Sequence, residues 1–167
     1  MQSSVKILGI DPSLRSTGYG LIQLAGSRPS CVTFGVIKNA ATLSSSACLV
    51  AIHEKISDLI AEHRPEAVAV EGVIYLQNYQ TAITLGAARG AALLACAQAG
   101  LAIHEYAPRR VKAAATGKGG AHKTQVSFMM RALLGLTENP PPDAADALAV
   151  ALTHSNNQLR LKPARVL

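Results

Sequence analysis

The sequence predicts an α/β domain in which helices cover a mixed central sheet of about five strands. Two observations lead there. Three apolar, strand-like runs open the chain between Val5 and Lys38, and helical and strand-like segments then alternate up to Tyr106, with helices filling the remainder. The 167 residues are also 49% hydrophobic, enough for a core, yet contain no tryptophan and few aromatics, so that core must be mostly Ala, Leu, Ile and Val.

VKILGID, Val5 to Asp11, is a short apolar run that ends on an acid and a Pro-Ser loop, the pattern of a buried strand. YGLIQLA and CVTFGVIK follow, separated by GSRPS, and complete an antiparallel meander. Ser44 to Ser46 offer an N-cap for a helix to Arg64, with Leu49, Ile52, Ile56 and Leu59 on its apolar face. Its acids Glu54, Asp58 and Glu62 share the polar face and read as solvated. Pro65 stops the helix, and EAVAVEG is the next buried strand, ending on Glu71. A small-residue helix spans Asn78 to Gly100, and Leu101 to Tyr106 is a further strand. PRRVKAAA opens a short helix at Pro108, TGKGGAHK is a glycine-rich loop, and Thr124 to Leu136 is helical. Three prolines then precede DAADALAVAL, a helix expected to close near His154. Residues 1–155 are expected to form the single domain. Residues 156–167, NNQLRLKPARVL, lack periodicity and read as a mobile basic tail.

Composition narrows the function classes. The net charge is +6, and from Ala107 to Arg131 there are basic residues (Arg109, Arg110, Lys112, Lys118, Lys123 and Arg131) but no acid. Such a stretch favours a polyanionic partner. Cys31, Cys48 and Cys96 are far apart with no CxxC pair, which argues against a disulfide scaffold or a zinc site. No apolar run reaches the roughly 20 residues that span a bilayer, and the start of the chain lacks the pattern of a signal peptide. A cytoplasmic location is expected.

Acids are few, so those at element ends need a reason. Asp11 and Glu71 each end an apolar strand, and ligands of open α/β sheets gather beyond strand carboxyl ends. Asp143 and Asp146, three apart on a helix, share one face. Any one of them has an ordinary alternative: Asp143 can complement the helix dipole, and Asp11 can start a turn. Glu71 after AVAV and Asp146 among alanines are harder to dismiss, because burying an unpaired charge is costly. Four converging carboxylates repel until some protonate or a cation neutralises them. Hard oxygen donors suit Mg²⁺ or Mn²⁺, and paired metals ringed by Lys and Arg suit phosphodiester hydrolysis.

GIDPSLRSTGYG, the VEG that ends the fourth strand, TLGAARG, TGKGGAHK and NPPPDAADALAVALTH occur in order over roughly Val5 to His154. Together they resemble the RuvC-type bacterial Holliday junction resolvases, the crossover junction endodeoxyribonucleases. The resemblance implies a ribonuclease H-like fold and a homodimer. It also implies nicking of two like-polarity strands at a four-way DNA junction, in recombination and repair, with two Mg²⁺ per site (Mn²⁺ as a substitute). Products would carry 5′-phosphate and 3′-hydroxyl ends, and the RuvA and RuvB branch-migration proteins are the implied partners. The family's acidic tetrad falls on Asp11, Glu71, Asp143 and Asp146, and its lysines on Lys112 and Lys123. Lys123 is expected to balance charge on the scissile phosphate, while Lys112, Arg109, Arg110 and Lys118 position the DNA backbone. His104, His122 and His154 are candidates for assisting proton transfer. The family usually carries an aromatic wedge three residues after the glutamate. Here Ile74 holds that place and Tyr75 follows, and Gly72 replaces a bulkier residue.

Three rival readings stand beside this one. The first loop also resembles the phosphate loop of sugar kinases and actin-like ATPases, but this chain lacks their second domain and second glycine-rich loop. A non-catalytic junction-binding module would keep the basic loop and lose the acids. Another nuclease of the same fold, acting on RNA, shares the acids, and only the resemblance selects DNA junctions over it.

Overall fold

The computed structural model describes residues 4–73, 77–160 and 165–167. Three strands, β1 (Ser4–Asp11), β2 (Ser16–Ala25) and β3 (Arg28–Lys38), form the antiparallel meander. Helix α1 (Ser45–His63), β4 (Ala67–Glu71), α2 (Tyr79–Gln98) and β5 (Ala102–Tyr106) follow. Then come α3 (Pro108–Thr116), α4 (Lys123–Leu134), α5 (Pro142–Arg160) and the short β6 (Arg165–Val166). The sheet order is β3-β2-β1-β4-β5-β6, with β4 parallel to both β1 and β5. Among the described residues the mixed sheet has six strands, in keeping with the about five expected from the sequence.

Strand alternation divides the core into two layers. Leu8, Ile10, Leu21, Val68, Val70 and Ile103 face α1 and α2. Ile7, Ile22, Ala69 and Tyr106 face α3, α4 and α5. The helix ends follow local chemistry. Ser44 accepts a hydrogen bond from the Ala47 amide, and Asn78 accepts from Gln80 and Thr81, as N-caps do. Arg64 closes α1 in the left-handed region before Pro65.

Helix α5 lies unusually near the sheet, and glycines permit it. An ideal Cβ on Gly9 of β1 would stand 1.9 Å from the Ala147 carbonyl oxygen, and one on Gly18 of β2 would stand 1.9 Å from that of Asp143. Ala144, Ala147 and Ala151 are fully buried on the helix side of the same contact. Larger side chains on both surfaces would hold the helix further off the sheet.

Three boundaries differ from the sequence reading. GSRPS is not a separate linker: only Gly26 and Ser27 make the turn, and Pro29 pairs with Leu24 inside β3. Because β3 is an edge strand, it tolerates a proline without a ladder donor. Helix α5 runs on to Arg160 instead of closing near His154, because Asn157 and Gln158 bond back to Tyr106 and His154. Arg165 and Val166 pair with Glu105 and His104, so these tail residues extend the sheet rather than hanging free. No helix among the described residues is long and apolar enough to cross a membrane.

Candidate active site

Asp11 and Glu71 are the last residues of two neighbouring parallel strands, whose pairing ends at Ile10 opposite Val70. By alternation Asp11 shares a face with Ile7 and Gly9, and Glu71 shares one with Ala69. That is the face α5 covers. The close approach at Gly9 and Gly18 therefore brings Asp143 and Asp146, in the first turns of α5, over the two strand ends. Asp11, Glu71 and Asp146 line one cavity of about 220 Å³, and Lys112 of α3 and Lys123 at the start of α4 complete its wall. Asp143 stands at the margin, where its carboxylate accepts a hydrogen bond from the Ser16 hydroxyl of β2. Two larger cavities, about 380 and 430 Å³, contain no acid in their walls, so chemistry and not size selects this one.

Asp11, Glu71 and Asp146 are held at raised proton affinity. Burial, reinforced by Asp146, Glu71 and Asp143, raises the Asp11 carboxyl to about 7, against a smaller opposing effect of Lys123. Burial and Asp146 raise Glu71, while Lys112 and Lys123 pull it back. Burial raises Asp146 as well, with Lys123 opposing and Asp143 adding to the rise. Lys123 Nζ stands 3.6 Å from Asp146 Oδ2, on an exposed side chain. Such a cluster accepts protons or cations readily. Among the described residues, no three His, Cys, Asp or Glu side chains are gathered closely enough to enclose a metal as they stand. The donor chemistry nonetheless fits a hard divalent ion: every acid offers carboxylate oxygen, and mutual repulsion is what such an ion relieves.

A family profile described as crossover junction endodeoxyribonuclease RuvC matches residues 7–154. The chain belongs to the RuvC family. It is 50% identical over 154 residues to the crossover junction endodeoxyribonuclease RuvC of Halorhodospira halophila, covering 92% of this chain and 91% of that one. It is 48% identical over 150 residues to that of Akkermansia muciniphila, covering 90% of each. Among solved structures it resembles Thermus thermophilus RuvC in complex with Holliday junction substrate, with TM-score 0.89 and 34% identity over 98% of this chain and 99% of that one. The yeast mitochondrial resolvase Ydc2, at 11% identity and TM-score 0.68 over 94% of this chain and 80% of that one, shares the fold. The ribonuclease H-like architecture expected from the sequence is thus the architecture of the RuvC fold.

Against this RuvC frame the sequence-derived residues separate. Asp11, Glu71, Asp146, Lys112 and Lys123 come together in one cavity, with Asp143 beside it. Lys112, read as a backbone-positioning residue, sits among the acids. Arg109 and Lys118 are exposed nearby. Arg110 departs from the reading as a phosphate contact: its guanidinium donates to Asn157 Oδ1 and lies 5.3 Å over the Tyr106 ring. His154 is buried, bonded to the Tyr106 hydroxyl at 2.7 Å and stacked 4.2 Å from His104, and His122 caps α4. None of the three histidines lines the acidic cavity. Ile74 and Tyr75 lie outside the described residues. Ser16 is the site residue that sequence reasoning misses, since a serine opening a strand carries no signal of a carboxylate partner 127 residues away.

Proposed function

We propose that this chain resolves four-way DNA junctions by nicking two strands of like polarity, acting as a Mg²⁺-dependent homodimer. The observation that carries the proposal is the cavity in which Asp11, Glu71 and Asp146 face Lys112 and Lys123. Its likeness to a RuvC solved with Holliday junction substrate supplies the DNA structure.

In this reading Asp11, Glu71, Asp143 and Asp146 hold two Mg²⁺. When bound, the ions supply Lewis-acid chemistry, lowering the pKa of a water and neutralising developing charge on the leaving oxygen. The water oxygen would bond to phosphorus, losing a proton to solvent, as the bond from phosphorus to the 3′ oxygen breaks and that oxygen takes a proton from solvent, leaving 5′-phosphate and 3′-hydroxyl ends. Lys123, on its exposed stem, can shift from Asp146 to the scissile phosphate and offset the charge that builds there. Lys112 faces the same space from α3. Arg109 and Lys118 grip the backbone outside the cavity. Helix α2 offers a self-association face, with Tyr79, Ile83 and Leu94 all more than half exposed. A C₂ pair presents two equal sites to two symmetric strands. RuvA and RuvB are the proposed partners, and the cytoplasm is the proposed location.

The test is cleavage of synthetic four-way junctions of several core sequences with Mg²⁺, set against a linear duplex and Asp146→Asn. Paired symmetric nicks in junctions alone, lost in the variant while binding persists, are expected. Binding without nicks in either Mg²⁺ or Mn²⁺ would return the chain to the non-catalytic reading.

A further inference from the structure

We propose that Arg89 of α2 is a positioning residue for Glu71, acting from the helix layer opposite the acids. Its guanidinium forks. Nη1 donates to the Glu71 carbonyl oxygen at 2.8 Å, and Nη2 donates to Glu105 Oε2 at 2.5 Å. The amide of the next residue, Gly72, donates to the Tyr106 carbonyl at 2.8 Å. The peptide unit joining Glu71 to Gly72 is therefore held at both its polar atoms, the oxygen by Arg89 and the N–H by β5.

This clamp sits where β4 is supported by the sheet on one side only, by β5. Pairing between β1 and β4 ends at Ile10 opposite Val70, so Glu71 lies one residue past that support. With its peptide plane pinned, the Glu71 Cα–Cβ bond is fixed toward the α5 face, where Asp11 and Asp146 stand. Glu105 is built to hold the arginine. Strand alternation puts it on the face of Ile103, toward α2. Its stem also passes close to Gly72, where an added Cβ would lie 3.3 Å from Glu105 Cγ and Cδ. A bulkier residue at 72 would crowd the carboxylate that orients Arg89. Arg165 of β6 reaches Glu105 Oε1 at 3.7 Å and adds a second cation to the pair. Both Arg89 and Glu105 are mostly buried, with side-chain exposures of 14% and 21%, so solvent weakens the fork little. A guanidinium reaches the carbonyl and the carboxylate with two separate nitrogens fixed in one plane; the donors of an ammonium radiate from a single nitrogen on a flexible stem and do not reproduce that span.

The inference rests on the reading of Glu71 as a metal ligand, and the experiment separates the two. Mn²⁺ binding to the full chain without DNA is measured by electron paramagnetic resonance for wild type, Glu71→Gln, Arg89→Lys, Glu105→Gln and the double variant Arg89→Lys with Glu71→Gln. Junction nicking and thermal melting are measured alongside. Arg89→Lys is expected to weaken Mn²⁺ binding by about tenfold or more, to raise the metal concentration needed for nicking in parallel, and to leave junction binding intact. Added to Glu71→Gln, it should weaken Mn²⁺ binding no further. Glu105→Gln shifts binding in the same direction and serves if Arg89→Lys fails to fold. Unchanged Mn²⁺ affinity in Arg89→Lys and Glu105→Gln, with Glu71→Gln impaired, overturns the positioning role and leaves Arg89 a brace of the fold. Unchanged affinity in Glu71→Gln itself overturns the ligand reading beneath it.

Discussion

The carbonyl oxygen of Ala147 fills the space that a side chain on Gly9 would need, 1.9 Å from where its Cβ would stand. That oxygen belongs to helix backbone that cannot swing aside, so Gly9→Ala must push α5 off the sheet. Overpacking of this kind costs about 1–3 kcal/mol. It also lifts Asp143 and Asp146 away from Asp11 and Glu71. Misplacing reacting groups by about 1 Å can cost 10²-fold in rate. Gly9→Ala is therefore expected to lose about two orders of magnitude in nicking, well beyond what its fall in stability, read by urea unfolding, explains.

Two buried groups pull the pH dependence of stability in opposite directions. Asp11, raised to about 7, binds its proton more tightly in the folded chain. Its contribution is fully present near pH 4 and is lost as the pH climbs to 7. His154 is lowered to about 4, by burial first and by neighbouring His104 second. It favours the fold above pH 6.5, and that advantage is lost as the pH falls toward 4. Without added metal, Asp11→Asn removes the first effect and leaves the second. Its melting temperature should fall more steeply toward acid than that of the wild type. A parallel course of the two melting curves from pH 4 to 7 would count against the raised Asp11.

Magnesium binding should displace the proton that Asp11 retains. Near pH 6.5, titration calorimetry in buffers of different ionisation enthalpy is expected to register proton release on Mg²⁺ binding. The release should largely vanish by pH 8.5, where Asp11 is already ionised, and should shrink in Asp11→Asn.

Lys123→Ala removes the cation nearest Asp146, 3.6 Å away. Losing one group that stabilises developing charge typically costs about 10²–10³ in rate. Single-turnover nicking should fall by that order, with junction affinity changed little, because one exposed lysine is a small part of a phosphate-binding surface.

Arg109 and Arg110 are adjacent in sequence and should behave differently. Arg109→Ala and Lys118→Ala are each expected to lower the slope of log affinity against log salt by about 1. Arg110→Ala should leave that slope nearly unchanged and lower the melting temperature, since it breaks the contacts with Asn157 and Tyr106.

How legible the site was depended on how far each signal reaches along the chain. Asp11 and Glu71 announce themselves because each terminates an apolar strand, where a charge is out of place. Asp146 does so because its helix is otherwise alanine and leucine. Arg110 reads as one more cation in a basic stretch, and its actual partner, Asn157, lies 47 residues further on. Ser16 is equally silent. Strand β6 leaves no signal of its own, because its two residues are too few for any periodicity. Gly9 and Gly18 look like ordinary strand glycines until the helix above them is in place.

The four acids come from three distant parts of the chain, and the last pair rides on α5. During synthesis, the meander, α1, β4, α2 and β5 all emerge before Asp143 does. A chain at that stage carries Asp11 and Glu71, with neither the helix that covers them nor the carboxylates it brings. On the proposed reading, the acidic cluster is therefore completed late in the making of the chain, when α5 settles against Gly9 and Gly18.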